Sequence, residues 1–170
     1  MLFLSAGHHP AAPGAAWRGL IEHTEAVRWV RELSQLLPTA MVVPPVPLTQ
    51  KIRWINARTH PGDLAIEIHF NAATPSVRGS ETLYSPGAQR GRAIAADVQA
   101  ILAKHFTPDR GIKEGWYQQD PSKGRLAFLS GTHCTALILE PEFIYNTDGI
   151  RNGMIPCCAD LAAFLRRFTP

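Results

Sequence analysis

Leu64-Ala65-Ile66-Glu67-Ile68-His69-Phe70-Asn71-Ala72-Ala73 decides how the chain is read. As a strand, its alternation sets Ala65, Glu67, His69 and Asn71 on one face and Ile66, Ile68 and Phe70 on the other. A strand buried in an α/β sheet should be apolar on both faces. This one carries a carboxylate, an imidazole and an amide toward its C-terminal end, where open α/β sheets place their ligands. By itself the histidine reads first as a satisfied residue on a half-buried strand and only second as a metal ligand. Partners decide between the two, and two other stretches supply them: Ser5-Ala6-Gly7-His8-His9 and Leu137-Ile138-Leu139-Glu140-Pro141-Glu142.

Working outward, Leu2 to Ser5 is a short apolar strand closed by the Ala6-Gly7 turn, so His8 and His9 follow a strand end. A helical stripe (Ile21, Val27, Val30, Leu33, Leu37) runs from Gly19-Leu20-Ile21-Glu22 to Pro38. Residues 41–43 form a brief strand, and Leu48 to His60 is amphipathic. Gly79 to Tyr84 alternates as a strand. A helix follows Ser85-Pro86-Gly87 and reaches about Phe106, while 111–119 is ambiguous and 120–124 is a turn-rich loop. Thr135 to Leu139 is a buried strand with Glu140 at its end, and 148–168 is mostly a closing helix. The order predicts an α/β fold: a mixed, mostly parallel sheet flanked by helices on both faces, with a departure around 79–84.

With 170 residues the chain suits one domain, 1–170, large enough for a real core. The net charge of +3 is a mild basic bias that suits an anionic polymer, but no Lys/Arg run is dense enough to argue for nucleic acid. The cysteines are Cys134, Cys157 and Cys158. Their odd number, with no CxxC spacing, argues against a disulfide framework and a cysteine zinc site. No apolar run matches a membrane span. The N-terminus lacks a basic region ahead of its apolar residues, so the chain is expected to be made in the cytoplasm without a signal peptide.

Three polar clusters thus meet at one sheet edge: His8, His69 and Glu140, with Glu22 opening the helix after His8. Two histidines and a carboxylate make a three-ligand catalytic zinc site with a position left for water, and a separate glutamate is then needed as base. Glu25 competes with Glu22 from one helical turn away. Glu142 competes with Glu140, and alternation does not separate them. His9 is read as a neighbour and His133 as structural or at the substrate rim. His23, His60 and His105 are read as surface residues, and Trp116 and Tyr117 as groove or core.

The chain resembles the zinc-dependent N-acetylmuramoyl-L-alanine amidases of bacterial cell-wall turnover and phage lysis (the amidase_3 type). The resemblance runs through Ala6-Gly7-His8, Gly19-Leu20-Ile21-Glu22, Ile68-His69-Phe70-Asn71-Ala72, Gly79-Ser80-Glu81-Thr82-Leu83-Tyr84 and Leu139-Glu140-Pro141-Glu142-Phe143-Ile144-Tyr145-Asn146. It implies that His8, Glu22 and His69 bind Zn2+, that Glu140 is the catalytic glutamate, and that the bond cut joins N-acetylmuramic acid to L-alanine in peptidoglycan. Glu67, Asn71 and Glu142 are candidates to support the ligands or touch substrate. The family usually has an acidic residue and a proline before its Gly-His and two glycines after it. Here Ser5-Ala6 precede and His9-Pro10 follow. Glu67 stands where the family has serine, and Glu142 where it has glycine. The implied protein is a single catalytic domain with no separate wall-binding domain, a monomer with no nucleic-acid partner and no membrane span. It would act on the cell wall if released, as a lysin or a remodelling enzyme. A zinc carboxypeptidase-like peptidase acting on wall stem peptides is the alternative enzyme, and a degenerate metal-free wall-binding module the non-enzymatic one.

Overall fold

The computed structural model describes residues 1–169. Its frame is a six-stranded sheet in the order β4-β1-β5-β8-β6-β7. The strands are β1 (Leu2–Ala6), β4 (Met41–Val42), β5 (Leu64–Ile68), β6 (Ser80–Tyr84), β7 (Asp109–Glu114) and β8 (Thr135–Glu140). β2 (Ala16–Trp17) and β3 (Leu20–Ile21) form a separate small antiparallel pair. β4, β1, β5 and β8 run parallel, β6 is antiparallel to β8, and β7 is parallel to β6. The departure expected around 79–84 is this reversal. The ambiguous stretch 111–119 resolves into the end of β7 and a short irregular turn.

Alternation along the strands builds two apolar layers. Leu2, Leu4, Leu64, Ile66, Ile68, Leu137 and Leu139 pack on one face against α1 (Glu22–Leu36), α3 (Gln89–His105) and α5 (Thr147–Leu165). Trp29 lies at the centre of this layer, with its ring against Phe70 and Phe106. Phe3, Ala65, Leu83, Ala136 and Ile138 face α2 (Leu48–Asn56) and α4 (Ala127–Gly131). Both sheet faces are therefore covered, as a largely parallel sheet requires. The second layer is thinner, and over the C-terminal ends of β1, β5 and β8 it gives way to a cavity. Among the described residues no helix is long and apolar enough to cross a membrane.

Candidate functional site

The cavity has a volume of about 530 Å³. Its polar lining comes from His8, Glu22, Lys51, Glu67, His69, Asn71 and Glu140, and its apolar wall from Leu48, Leu83, Leu126, Phe128 and Ile138.

His8 is the second residue past β1 and has φ 60°, a left-handed conformation that a side chain other than glycine rarely takes and that is held only where the surroundings impose it. The surroundings are visible. Nδ1 of His23 lies 2.8 Å from the Gly7 carbonyl and buttresses the turn from below. A Cβ on Gly7 would come within 2.6 Å of the His69 ring. Gly14, at φ +79°, leaves no room for a side chain against Glu22 and His8. His23, expected at the surface, is buried: it occupies the first turn of α1, on the side facing the sheet.

Glu22 is the first residue of α1, where the helix dipole favours a carboxylate. Its Oε1 lies 2.9 Å from His8 Nε2 and 2.9 Å from His69 Nδ1, and its Oε2 accepts from the Ala15 amide at 3.0 Å. Burial alone would raise this carboxyl, but hydrogen bonds from His69 and His8 outweigh it and hold Glu22 at about 2. Glu25 is also buried, but it pairs with Arg28 at 3.1 Å and stays outside the cluster.

His69 is the first residue beyond β5, which ends at Ile68 rather than running on to Ala73. Burial pushes its imidazole down, while the hydrogen bonds to Glu22 and Glu67 carry it up to about 10. Glu67 Oε2 lies 3.2 Å from His69 Nε2, and Glu67 Oε1 accepts from Lys51 Nζ at 2.9 Å and Ser5 Oγ at 3.1 Å. Lys51 also donates to the Ala6 carbonyl. Lys51 and Glu67 are 2% and 3% exposed, so their charges are compensated only by one another and by His69. Removing one member of such a buried pair costs about 3–5 kcal/mol. Lys51→Met should lose about that much stability in urea unfolding. Adding Glu67→Ser to it should restore most of the loss, since no uncompensated charge then remains.

Glu140 ends β8. Its Oε2 is buried with no hydrogen-bond partner among the described residues. Burial pushes this carboxyl up to about 8, with the neighbouring charges of Glu22, Glu81 and Glu67 adding to the rise and His69 opposing it. Glu142 is a different case. Its Oε1 accepts from the Gly79 and Phe143 amides, each at 2.8 Å, and its Oε2 from Asn146 Nδ2 at 2.8 Å. It does not line the cavity. The chain turns after Pro141, and Glu142 ties the loop before β6 to the start of α5. Asn71 lines the cavity and donates to Glu81 at 3.0 Å.

His9 and Tyr117 also line the cavity, while Trp116 is half-buried with its indole on Glu114. His133 is exposed and does not line it.

The residues fit a divalent cation. One ligand atom each from His8, Glu22 and His69 falls within 4.8 Å of the others. Both imidazole nitrogens converge on Glu22 Oε1, each at 2.9 Å, and two imidazoles with one carboxylate are a ligand set that suits zinc. The carboxylates of Glu22 and Glu67 share the cavity with Lys51 and with the proton that His69 holds between them, and a cation bound by His8, Glu22 and His69 would take that proton's place beside Glu22.

Sequence reasoning missed Lys51, Glu81 and Gly14. Lys51 lay in an amphipathic helix where a lysine reads as solvent-facing. Glu81 alternated with Leu83 as a polar position, which is the signal that could have found it. Gly14 closes the stretch Pro10-Ala11-Ala12-Pro13-Gly14, whose composition says loop and nothing more.

The chain is 27% identical over 169 residues to the uncharacterized protein YqiI of Bacillus subtilis (strain 168), covering 90% of this chain and 82% of that protein. Its fold superposes on an N-acetylmuramoyl-L-alanine amidase from Clostridium difficile 630 with TM-score 0.82 at 17% identity, covering 98% of this chain and 95% of the other. It also matches the catalytic domain of the CD27L endolysin, which targets Clostridia difficile, with TM-score 0.74 at 20% identity and 96% of each chain covered. The model of the Amidase_3 family, described as N-acetylmuramoyl-L-alanine amidase, matches residues 2–152. With the match spanning the whole sheet and every residue of the cavity, the chain belongs to the N-acetylmuramoyl-L-alanine amidase family.

Proposed function

We propose that His8, Glu22 and His69 hold one zinc ion and that the chain hydrolyses the amide between the lactyl group of N-acetylmuramic acid and L-alanine of the stem peptide. The observation that carries this reading is the carboxyl of Glu140, whose Oε2 is buried and unpartnered in the same cavity as a three-ligand cluster. When bound, zinc supplies Lewis-acid polarisation of the scissile carbonyl and lowers the pKa of a water toward 7.

The chain does the rest. The raised carboxyl of Glu140 would be lowered by a cation held by His8, Glu22 and His69, and its Oε2 would then take a proton from the attacking water and pass it to the leaving nitrogen. Glu22 needs no proton removed before it can ligate, because it is already held ionised. His69 must give one up, so metal uptake should release a proton. Glu67 accepts at His69 Nε2, which leaves Nδ1 facing Glu22 as the ligating nitrogen. Lys51 holds Glu67 in place for this task. The apolar wall excludes water from the side of the cavity opposite the charges.

Digestion of purified peptidoglycan tests the proposal. The expected soluble products are intact stem peptides with a new L-alanine amino terminus, over uncut glycan strands. A chelator should abolish their release and added zinc should restore it. If the products are shortened peptides still attached to muramic acid, the enzyme is a carboxypeptidase-like peptidase. A purified protein that carries no zinc and binds wall without releasing peptides would be the metal-free module.

A further inference from the structure

The flank of the cavity beyond Glu140 carries two cations that the proposed hydrolysis leaves unused. β6 lies antiparallel to β8 and sets Glu81 opposite Glu140. Glu81 is buried. Its Oε1 is taken by Asn71, and its Oε2 accepts from both Arg110 Nε at 2.9 Å and Lys113 Nζ at 2.6 Å. One carboxylate faces two cations, so the cluster keeps a net charge of one positive unit. It is continuous with the cavity floor: Ile138, Leu83 and Lys113 are register partners across β8, β6 and β7, and the first two line the cavity. Adjacent strands are ~4.8 Å apart, which sets Lys113 roughly 10 Å from β8.

The two cations are also arranged to receive something. Arg110 uses only Nε in the cluster, and its guanidinium carbon sits 5.0 Å from the Phe143 ring centroid. Its two terminal amino groups make no hydrogen bond to the described residues. The Arg110 and Lys113 side chains are 33% and 30% exposed. A guanidinium pinned at Nε and laid on an aromatic face presents its remaining donors as a fixed fork, the geometry that matches a carboxylate.

We propose that Arg110 and Lys113 form a subsite for a carboxylate borne by the stem peptide beyond L-alanine. The inference rests on the amidase reading above, which makes a peptide the leaving half of the substrate. An extended chain covers ~3.3–3.6 Å per residue, so the second or third residue of the peptide reaches this flank from the scissile bond. The glycan half then lies on the opposite flank, toward His8.

The probe is N-acetylmuramoyl-L-alanyl-D-glutamyl-diaminopimelic acid, used with all peptide carboxyls free and with all of them amidated. The wild-type zinc-loaded chain should favour the free acid in kcat/KM by about ten- to a hundredfold, the range of charge-assisted hydrogen bonds. Arg110→Gln and Lys113→Gln should each shrink that ratio, chiefly through KM, and Arg110→Lys should retain part of it. Equal use of both compounds by wild type overturns the subsite, and so does an unchanged ratio in both glutamine variants. Calorimetric titration of the wild-type chain with each compound separates the two proposals. If neither compound nor intact wall is cleaved, the amidase reading fails, and the subsite still stands or falls by tighter binding of the free acid than of the amidated form.

Discussion

Glu140→Gln should fold, keep the zinc proposed for the site and lose about 100- to 10,000-fold in turnover. The substitution is close in size and exchanges a proton acceptor for an amide that cannot take up a proton. It costs little structure, because the atom replaced has no hydrogen-bond partner to lose. Peptide release from purified wall measures the effect, with elemental analysis confirming that zinc is retained. Glu142→Gln is the control. Its carboxylate is fully engaged with two backbone amides and Asn146, so its loss should appear in thermal or urea unfolding as about 1–3 kcal/mol, with a far smaller effect on turnover. The reverse ranking of the two variants would move the base to Glu142 and refute the assignment.

His69→Ala should abolish stoichiometric zinc binding and, with it, activity. His69 Nδ1 and His8 Nε2 meet at the same oxygen of Glu22, so removing either imidazole leaves only two ligands. Losing an outer hydrogen-bond partner of a ligand typically costs 10- to 100-fold in affinity, and losing the ligand itself should cost more. The variant also leaves Glu22 and Glu67 facing each other without the imidazole between them, so the site should be looser as well as empty. A full equivalent of zinc in purified His69→Ala would show that the ion sits elsewhere.

Much of the fold was legible because the strands that build it are strongly apolar. Leu2–Ala6, Leu64–Ile68 and Thr135–Glu140 are the three central parallel strands, and each reads as a strand from its own residues. What alternation could not show was direction: nothing in Ser80–Tyr84 states that it runs against β8. That reversal brings Glu81 beside Glu140. The site candidates were legible because His8 and His69 follow strand ends and Glu140 closes one. The choices between Glu22 and Glu25, and between Glu140 and Glu142, needed coordinates. In each pair both carboxylates are buried or nearly so, and partner bonds alone separate them. Lys51 and His23 were opaque for a related reason. Lysine and histidine are polar by type, and only the contacts of a folded chain reveal a buried one.

The place of β8 in the sheet has a consequence for how the molecule comes into being. This strand lies between β5 and β6, yet it begins 51 residues after the end of Ser80–Tyr84 and later still after Leu64–Ile68, since 135 − 84 = 51. Until it inserts, β5 and β6 have no hydrogen-bonded neighbour on their facing edges, and Glu140, the proposed general base, is missing from the cavity. Such distant pairing makes folding slow and leaves strand edges open to other chains in the meantime. During synthesis the chain should therefore remain catalytically silent until the segment through Glu140 has emerged, and a chaperone that covers the open edge between β5 and β6 should raise the yield of active protein.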